Sequence, residues 1–532
     1  MRKNVSLILL ANLLALTASA AEPGKEPAWP QVNGPFGNFN PRQYGVKLLD
    51  DFSQAKAVWT SEESDLGYGK RSGKDSLYRW PGHPGAANSS LAAEGKIFVS
   101  SYRPAGEVWS KGNPFDGSYD KIPAEHQERF RSNFRIEADD FTVAIDMATG
   151  KTVWKVVEER KGMNRQMPKR GGWCVSPAYH DGRLFSLGTT GRLYCYEAAT
   201  GKKLWEGTIG KAHQTWEAQK AKSIEDARNE RPARLSGEGC QVSLVVADGV
   251  LIVPLYDGLD MGLGGVDVRT GKVMWQVPAA TGRRATPAVW RHEGREYVLA
   301  ATHGDPNQRT GKLRLIAPKT GKVLWTVEGL CNTHFALAPS EKHVLVNVGS
   351  RTPGHGKVPW MLLGCYRLSL EGADLAWTMP DELEFWHEGA YEASDWRKYL
   401  IRDGRVYYYS RSRNPDSSMV YAFFIIDEQT GKLLLRQRAD KGGDEAPIPG
   451  QHYFLEDRLL QVPDASHGDR LTMRLWTTDP KDLRPLCPPW NPPHDSTTAY
   501  EVFMEFPYVD GRIFMRTKEG AVVCYDLRQE QQ

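Results

Sequence analysis

Short apolar runs, each closed by a turn-forming cluster, follow one another along most of this chain, and few stretches keep helical spacing. One pattern recurs with fixed spacing: an apolar strand, an acidic residue, a Thr-Gly-Lys turn, and an apolar strand ending in Trp. It runs Ala144-Ile-Asp-Met-Ala-Thr-Gly-Lys-Thr-Val-Trp154, then Cys195-Tyr-Glu-Ala-Ala-Thr-Gly-Lys-Lys-Leu-Trp205 and Gly265-Val-Asp-Val-Arg-Thr-Gly-Lys-Val-Met-Trp275. It continues as Leu315-Ile-Ala-Pro-Lys-Thr-Gly-Lys-Val-Leu-Trp325 and as Ile425-Ile-Asp-Glu-Gln-Thr-Gly-Lys-Leu-Leu-Leu435, where Leu replaces Trp. A degenerate copy ends at Trp377, with Glu371-Gly372-Ala373-Asp374 in place of the turn. Gly supplies a positive φ, the acidic side chain can accept from nearby backbone N–H groups, and Trp brings a large face for docking on the next repeat.

A second signal precedes each unit: Asp or Glu, Gly, then an apolar run, as at Glu94-Gly95, Asp181-Gly182, Asp248-Gly249, Asp403-Gly404 and Asp510-Gly511. Each repeat therefore predicts strand A, a tight turn, strand B, a loop, strand C, the Thr-Gly-Lys turn and strand D. Four-stranded antiparallel blades of this kind arrange radially. The fold class predicted is all-β, a single β-propeller of about eight blades over residues 88–528, with seven as the alternative count. The A strands are expected near Asn88, Trp173, Gly239, Arg284, Thr333, Gly389, Gln451 and Thr498. The last unit stops after Cys524-Tyr-Asp526, and its missing strand has a candidate in Ala55-Lys-Ala-Val-Trp59, which would close the ring and leave no open edge. The rest of 21–87 predicts a Gly- and Pro-rich wrapping arm.

Composition changes this picture little. At 532 residues, 40% hydrophobic and 25% charged, the chain is neither disordered nor collagen-like. Its net charge of +3 gives no overall case for nucleic acid or an anionic membrane. Residues 1–20 predict a cleaved export signal: Arg2 and Lys3, an apolar run from Val5 to Leu16, then Ala18-Ser19-Ala20. No cysteine stands near the cleavage site, and no later stretch reaches transmembrane length. The expected location is periplasmic or extracellular, as a monomer. Among the seven cysteines, Cys195, Cys365 and Cys524 predict buried strand positions, and Cys174 with Cys240 is a conceivable bridge.

These repeats resemble the PQQ-like (quinoprotein dehydrogenase-like) β-propeller repeat family, whose tryptophan-docking motif is matched by Ala144, Asp146, Gly150, Lys151 and Trp154. Trp29-Pro-Gln-Val-Asn-Gly-Pro35 is similar to the opening of many secreted members. The resemblance implies the propeller fold, with PQQ and calcium as the cofactors of its dehydrogenase members. This chain lacks their adjacent Cys-Cys pair, shows no match to their calcium ligands or catalytic Asp, and carries no Cys-x-x-Cys-His haem site.

Strand direction alternates, so the B–C and D–A connections emerge on one face, here called the loop side, and the A–B and C–D turns on the other, the turn side. Long insertions fall on the loop side: 103–140 (B–C) and 207–237 (D–A), the latter with Trp216 to Arg228 helical in composition. Residues early in the A strands should surround the channel mouth there. They include Arg170 and Trp173; Arg283 and Arg284; His334; His387, Glu388 and Tyr391; and His452. Arg forks match carboxylate or sulfate, and the aromatic rings can stack on a sugar or quinone. Three functions fit. The leading one is binding of a small molecule, an anionic glycan or a protein at the mouth. The others are a quinone-dependent alcohol or sugar dehydrogenase, and a polysaccharide-acting enzyme such as a lyase.

Overall fold

The computed structural model describes residues 28–64, 66, 89–108, 135–164, 174–229, 242–255, 260–282, 285–304, 308–331, 336–349, 361–379, 399–413, 419–439, 446–447, 450–463, 473–493, 506–517 and 520–529. Within them the chain forms eight antiparallel sheets, so the larger of the two blade counts holds. Blade 1 comprises Leu91–Ala93, Lys96–Val108, Arg135–Asp146 and Thr152–Met163; blade 2 comprises Ala178–His180, Arg183–Leu187, Arg192–Glu197 and Lys203–Thr208. Blades 3 to 7 follow in sequence order from Val245 to Trp476. Blade 8 holds Tyr508–Val509, Arg512–Arg516 and Val522–Asp526, and its outer strand is Lys56–Thr60 from the other end of the chain. The predicted ring closure is therefore present, one residue beyond its expected bounds.

The ladders of the A strands begin later than the polar residues expected to open them, for example at Leu91, Ala178, Val245 and Ala288. Among the described residues, two sheets have three laddered strands. Blade 5 lacks the inner one, and blade 7 the outer one. In blade 7, residues 485–490 take the outer place through isolated bridges, Trp476 with Pro485 and Met473 with Trp490. Pro485, Pro488 and Pro489 carry no N–H, so a regular ladder cannot form there.

One contact repeats around the ring. Among the described residues, six outer strands carry a Trp that crosses to the next blade, its indole N–H donating to the carbonyl just after the repeat's acidic position or, in blade 5, to that of Ser369 at the position itself. Trp59 reaches Met147 at 3.1 Å, Trp154 reaches Ala198 at 3.0 Å and Trp205 reaches Val268 at 3.2 Å. Trp275 reaches Pro318 at 2.6 Å, Trp325 reaches Ser369 at 2.9 Å and Trp377 reaches Glu428 at 2.8 Å. Trp59 thus ties blade 8 to blade 1. The turn glycine meets two demands at once: Gly201 sits at φ 74°, and a Cβ there would lie 2.7 Å from the Trp154 ring. In the degenerate blade 5 turn, Ser369 replaces the acid, its hydroxyl accepting from the N–H groups of Glu371 and Gly372 at 3.2 and 3.1 Å. Cys195, Cys365 and Cys524 are fully buried in third strands, as expected.

The two ends of the long insertions are ordered secondary structure. Residues 103–108 and 135–140, expected as loop, extend strands B and C of blade 1. The helix of the second insertion, α1, spans Ala212–Arg228 and so begins four residues before its expected start at Trp216. No described helix is long and apolar enough to cross a membrane.

Candidate functional site

The inner strands line the channel, and the N-terminal arm lies across its turn-side end. Trp29 exchanges backbone hydrogen bonds with Ala92 of blade 1 at 2.8 and 3.0 Å. Pro30 accepts from the Tyr179 N–H of blade 2 at 2.7 Å, and the Gln31 side chain accepts from Val246 of blade 3 at 2.9 Å. Asn33 donates to Pro287 at blade 4, and Asn40 donates to Ile401 of blade 6. The N–H groups of Tyr44 and Gly45 bond the Glu456 carboxylate at the blade 7 turn, and Leu49 donates to Leu527 at blade 8. Trp29 is fully buried, and its ring lies 6.2 Å from Tyr453 of blade 7. A segment that bonds the first and eighth blades while passing the inner strands between them closes that end of the ring.

One layer toward the loop side, hydroxyl groups tie the first four blades. Ser89 N–H donates to Ser176 Oγ at 2.8 Å, Ser176 N–H to Ser243 Oγ at 3.2 Å, and Ser243 N–H to Thr286 Oγ1 at 2.9 Å. Each hydroxyl stands two residues before its strand, satisfying a buried N–H of the preceding blade. Their signal in the sequence is slight: Ser176-Pro, Ser243-Leu and Thr286-Pro recur at one repeat position.

The loop side is raised at one place. The last three strands of blade 1 run 13, 12 and 12 residues, against 5, 6 and 6 in blade 2. Their upper halves form a three-stranded lobe that bends where all three break register, near Gly106, Asp139 and Arg160. Arg160 takes a positive φ of 53°, and its N–H donates to Asp139 at 2.8 Å. Helix α1 braces the lobe: Lys220 Nζ reaches the Arg160 carbonyl at 3.3 Å, and Arg228 pairs with Glu107 at 2.7 Å.

At the foot of the lobe lies a buried carboxylate, Asp140. Its Oδ1 accepts from the backbone N–H and the hydroxyl of Thr189 in blade 2, both at 3.2 Å, and the Tyr194 hydroxyl lies 3.4 Å from Oδ2. Side chains at Gly162 or Gly188 would collide with it, so one glycine from each blade makes its room. Burial raises the Asp140 carboxyl to about 6, against the opposing pull of the Thr189 and Tyr194 hydrogen bonds and the Lys220 charge. The adjoining cavity is on the order of one water molecule and is walled by Ser100, Thr142, Ser186 and Cys174 among others. Burial also pushes the Cys174 thiol up to about 12, so it is no thiolate at neutral pH. The geometry suits proton exchange with a water molecule and leaves no room for a substrate. The only sequence hint of Asp140 is an Asp-Asp pair inside an apolar strand.

Of the predicted mouth residues, Arg170, Trp173, Arg283, Arg284, His334, His387, Glu388 and Tyr391 lie outside the described residues, as does Cys240. His452 is described. It is fully buried in the inner strand of blade 7, opposite Gln461, and stacks on Tyr409 with ring centroids 3.7 Å apart. Among the described residues, no three His, Cys, Asp or Glu side chains gather to hold a metal ion. A family model described as outer membrane protein assembly factor BamB matches residues 139–329. No curated protein matches the chain in sequence. Among solved structures, the quinohemoprotein alcohol dehydrogenase of Comamonas testosteroni aligns with a TM-score of 0.54 at 12% identity, over 96% of this chain and 82% of that one. BamB of Moraxella catarrhalis aligns with a TM-score of 0.44 at 10% identity, over 75% and 93%. Its docking repeats and eight antiparallel sheets make the chain a β-propeller, and over residues 139–329 its sequence is similar to the BamB family model.

Proposed function

We propose that this propeller is exported and binds a ligand or partner at the loop-side mouth of its channel. One observation carries the reading: the two ends of the ring are built differently. The arm from Trp29 to Leu49 closes the turn side, while the lobe of blade 1 and helix α1 enlarge the loop side. Loops and extensions on a rigid scaffold are where binding residues concentrate. The signal-like pattern of residues 1–20 supports export.

The described residues offer no fit to PQQ with calcium. They gather no cluster of metal-binding side chains, and the cavity beside Asp140 is far smaller than a quinone. No described residue favours the dehydrogenase or lyase alternative. The test is a binding panel of acidic and neutral glycans and quinones, read by calorimetry on the wild type and on Arg284→Ala/His387→Ala. A ligand bound by the wild type and weakened roughly tenfold or more by the paired change supports the mouth. Unchanged binding in the variant removes it.

A further inference from the structure

The lobe carries a row of ion pairs with a consistent polarity. Arg160 donates through Nε and Nη2 to Glu137 Oε2 at 2.9 and 2.5 Å. Arg228 holds Glu107 Oε1 at 2.8 and 2.7 Å, and Arg103 Nε holds Asp139 at 3.2 Å. In each pair the base faces solvent and the acid is sheltered. The arginine side chains are 57%, 65% and 48% exposed, against 8%, 33% and 13% for their carboxylates. The pairs are contiguous. Glu137, Glu107 and Asp139 all raise the Arg160 guanidinium above its ordinary range, hydrogen bonding to Glu137 contributing most.

We infer that this edge of the lobe, with α1, docks a polyanionic polysaccharide through Arg103, Arg160 and Arg228. The inference rests on the loop side being the binding face. A guanidinium has five N–H donors, and among the described residues at most two of each are engaged. The others belong to side chains that are half exposed or more, in a planar fork whose geometry matches carboxylate or sulfate oxygens. The more sheltered acids orient each fork and shorten the reorganisation needed when an anion arrives.

The surface chemistry selects a glycan over a protein. Protein interfaces draw their energy from desolvated aromatic or aliphatic anchors. Among the described residues, the large apolar side chains that are exposed are Phe36, Val58, Val153, Leu204, Met274, Leu375 and Leu434, and none of these lies on α1 or beside the Arg103, Arg160 and Arg228 pairs. A hydrated, highly charged polymer needs no such anchor.

The experiment titrates the whole protein with polygalacturonate, chondroitin sulfate, neutral dextran and poly-glutamate at low and high salt. The variants are Glu137→Gln/Arg160→Gln and Glu107→Gln/Arg228→Gln, alone and combined. Removing whole pairs keeps the net charge and strands no buried carboxylate, and thermal melts verify the fold. The expected result is binding of the uronate polymer, the sulfated polymer or both. It should weaken roughly tenfold in the combined variant and fall with salt, while dextran stays unbound. The uronate and sulfate arms identify which anion is preferred. Absence of binding to either polymer, equal binding of poly-glutamate, or unchanged affinity in the combined variant overturns the inference. If Arg284→Ala/His387→Ala loses binding and the lobe variant does not, the mouth stands and the lobe site falls. The reverse pattern keeps the lobe and removes the central residues.

Discussion

Blades 1 and 2 share one half and differ in the other. On the turn side they are near copies: Trp154 docks over Gly201 as Trp205 docks over Gly271, and each indole donates to the matching carbonyl. On the loop side blade 2 ends, while blade 1 continues into the bent lobe. The shared half is held by shape, with a flat indole against a backbone that has no Cβ. The unshared half is held by ion pairs, those of Arg103, Arg160 and Arg228, and it encloses the Asp140 carboxyl, whose charge burial disfavours. Shape complementarity is indifferent to pH and salt, whereas the contacts of the lobe depend on both. The ring therefore serves as a constant frame, and the responsive chemistry sits on the extension.

The sharpest way to break this comparison is to remove a docking ring. Trp154→Ala deletes a mostly buried indole and its hydrogen bond to Ala198. The expected cost is about 3–5 kcal/mol, with a clear fall in the urea midpoint at every pH and salt concentration. Trp205, more exposed than Trp154, should cost less when changed to Ala. A Trp154→Ala loss that varied strongly with ionic strength would show that the seams are not held by shape.

The same division decides what could be read in the sequence. The ring was legible because its seam repeats: Gly, Trp and the acid recur at one spacing, and even the borrowed outer strand announced itself through Trp59. The lobe was not, because nothing in it repeats. Arg135, Glu137 and Asp139 alternate with Ile136 and Ala138, but Asp140 falls at the next apolar place and breaks the pattern, so the strand extension reads as loop. The arm's path was also hidden, since Gln31, Asn33 and Asn40 reach backbone groups more than 200 residues away. Of the mouth residues, His452 shows the limit of strand position as a guide. It occupies the predicted strand, yet its ring is buried against Tyr409.

Asp140 separates the halves by pH. Burial raises its carboxyl to about 6 in the folded protein, above the ordinary value of 3.8. A raised carboxyl binds its proton more tightly in the folded state, so the folded state is favoured at acid pH. That advantage is lost as pH climbs between those two values, a loss of about 3 kcal/mol at most. Asp140→Asn keeps an acceptor for Thr189 and removes the charge. Melting temperatures measured from pH 4 to 8 should show the variant gaining on the wild type as pH rises. Parallel curves for the two proteins would mean that Asp140 is not caged as described.

The smallest expected effect tests the shared half from within. Asp267 Oδ1 accepts from the N–H groups of Arg269 and Thr270 at 3.1 and 2.8 Å and from the Thr270 hydroxyl at 2.8 Å, and hydrogen bonding to Thr270 lowers its carboxyl. Blade 4 has already made the substitution. Ala317 stands at the same position, and its turn keeps both backbone bonds, Ala317 N–H to Lys322 and Gly321 N–H to Ala317, each at 2.9 Å. The acid thus reinforces a turn that the backbone and the glycine already define. Asp267→Ala should cost about 0.5–1 kcal/mol near neutral pH. Because the lowered carboxyl stabilises only while ionised, the gap between wild type and variant should close as pH falls below the ordinary carboxylate range. A loss comparable to that of Trp154→Ala would place the seam's strength in the capped turn rather than in the indole resting on it.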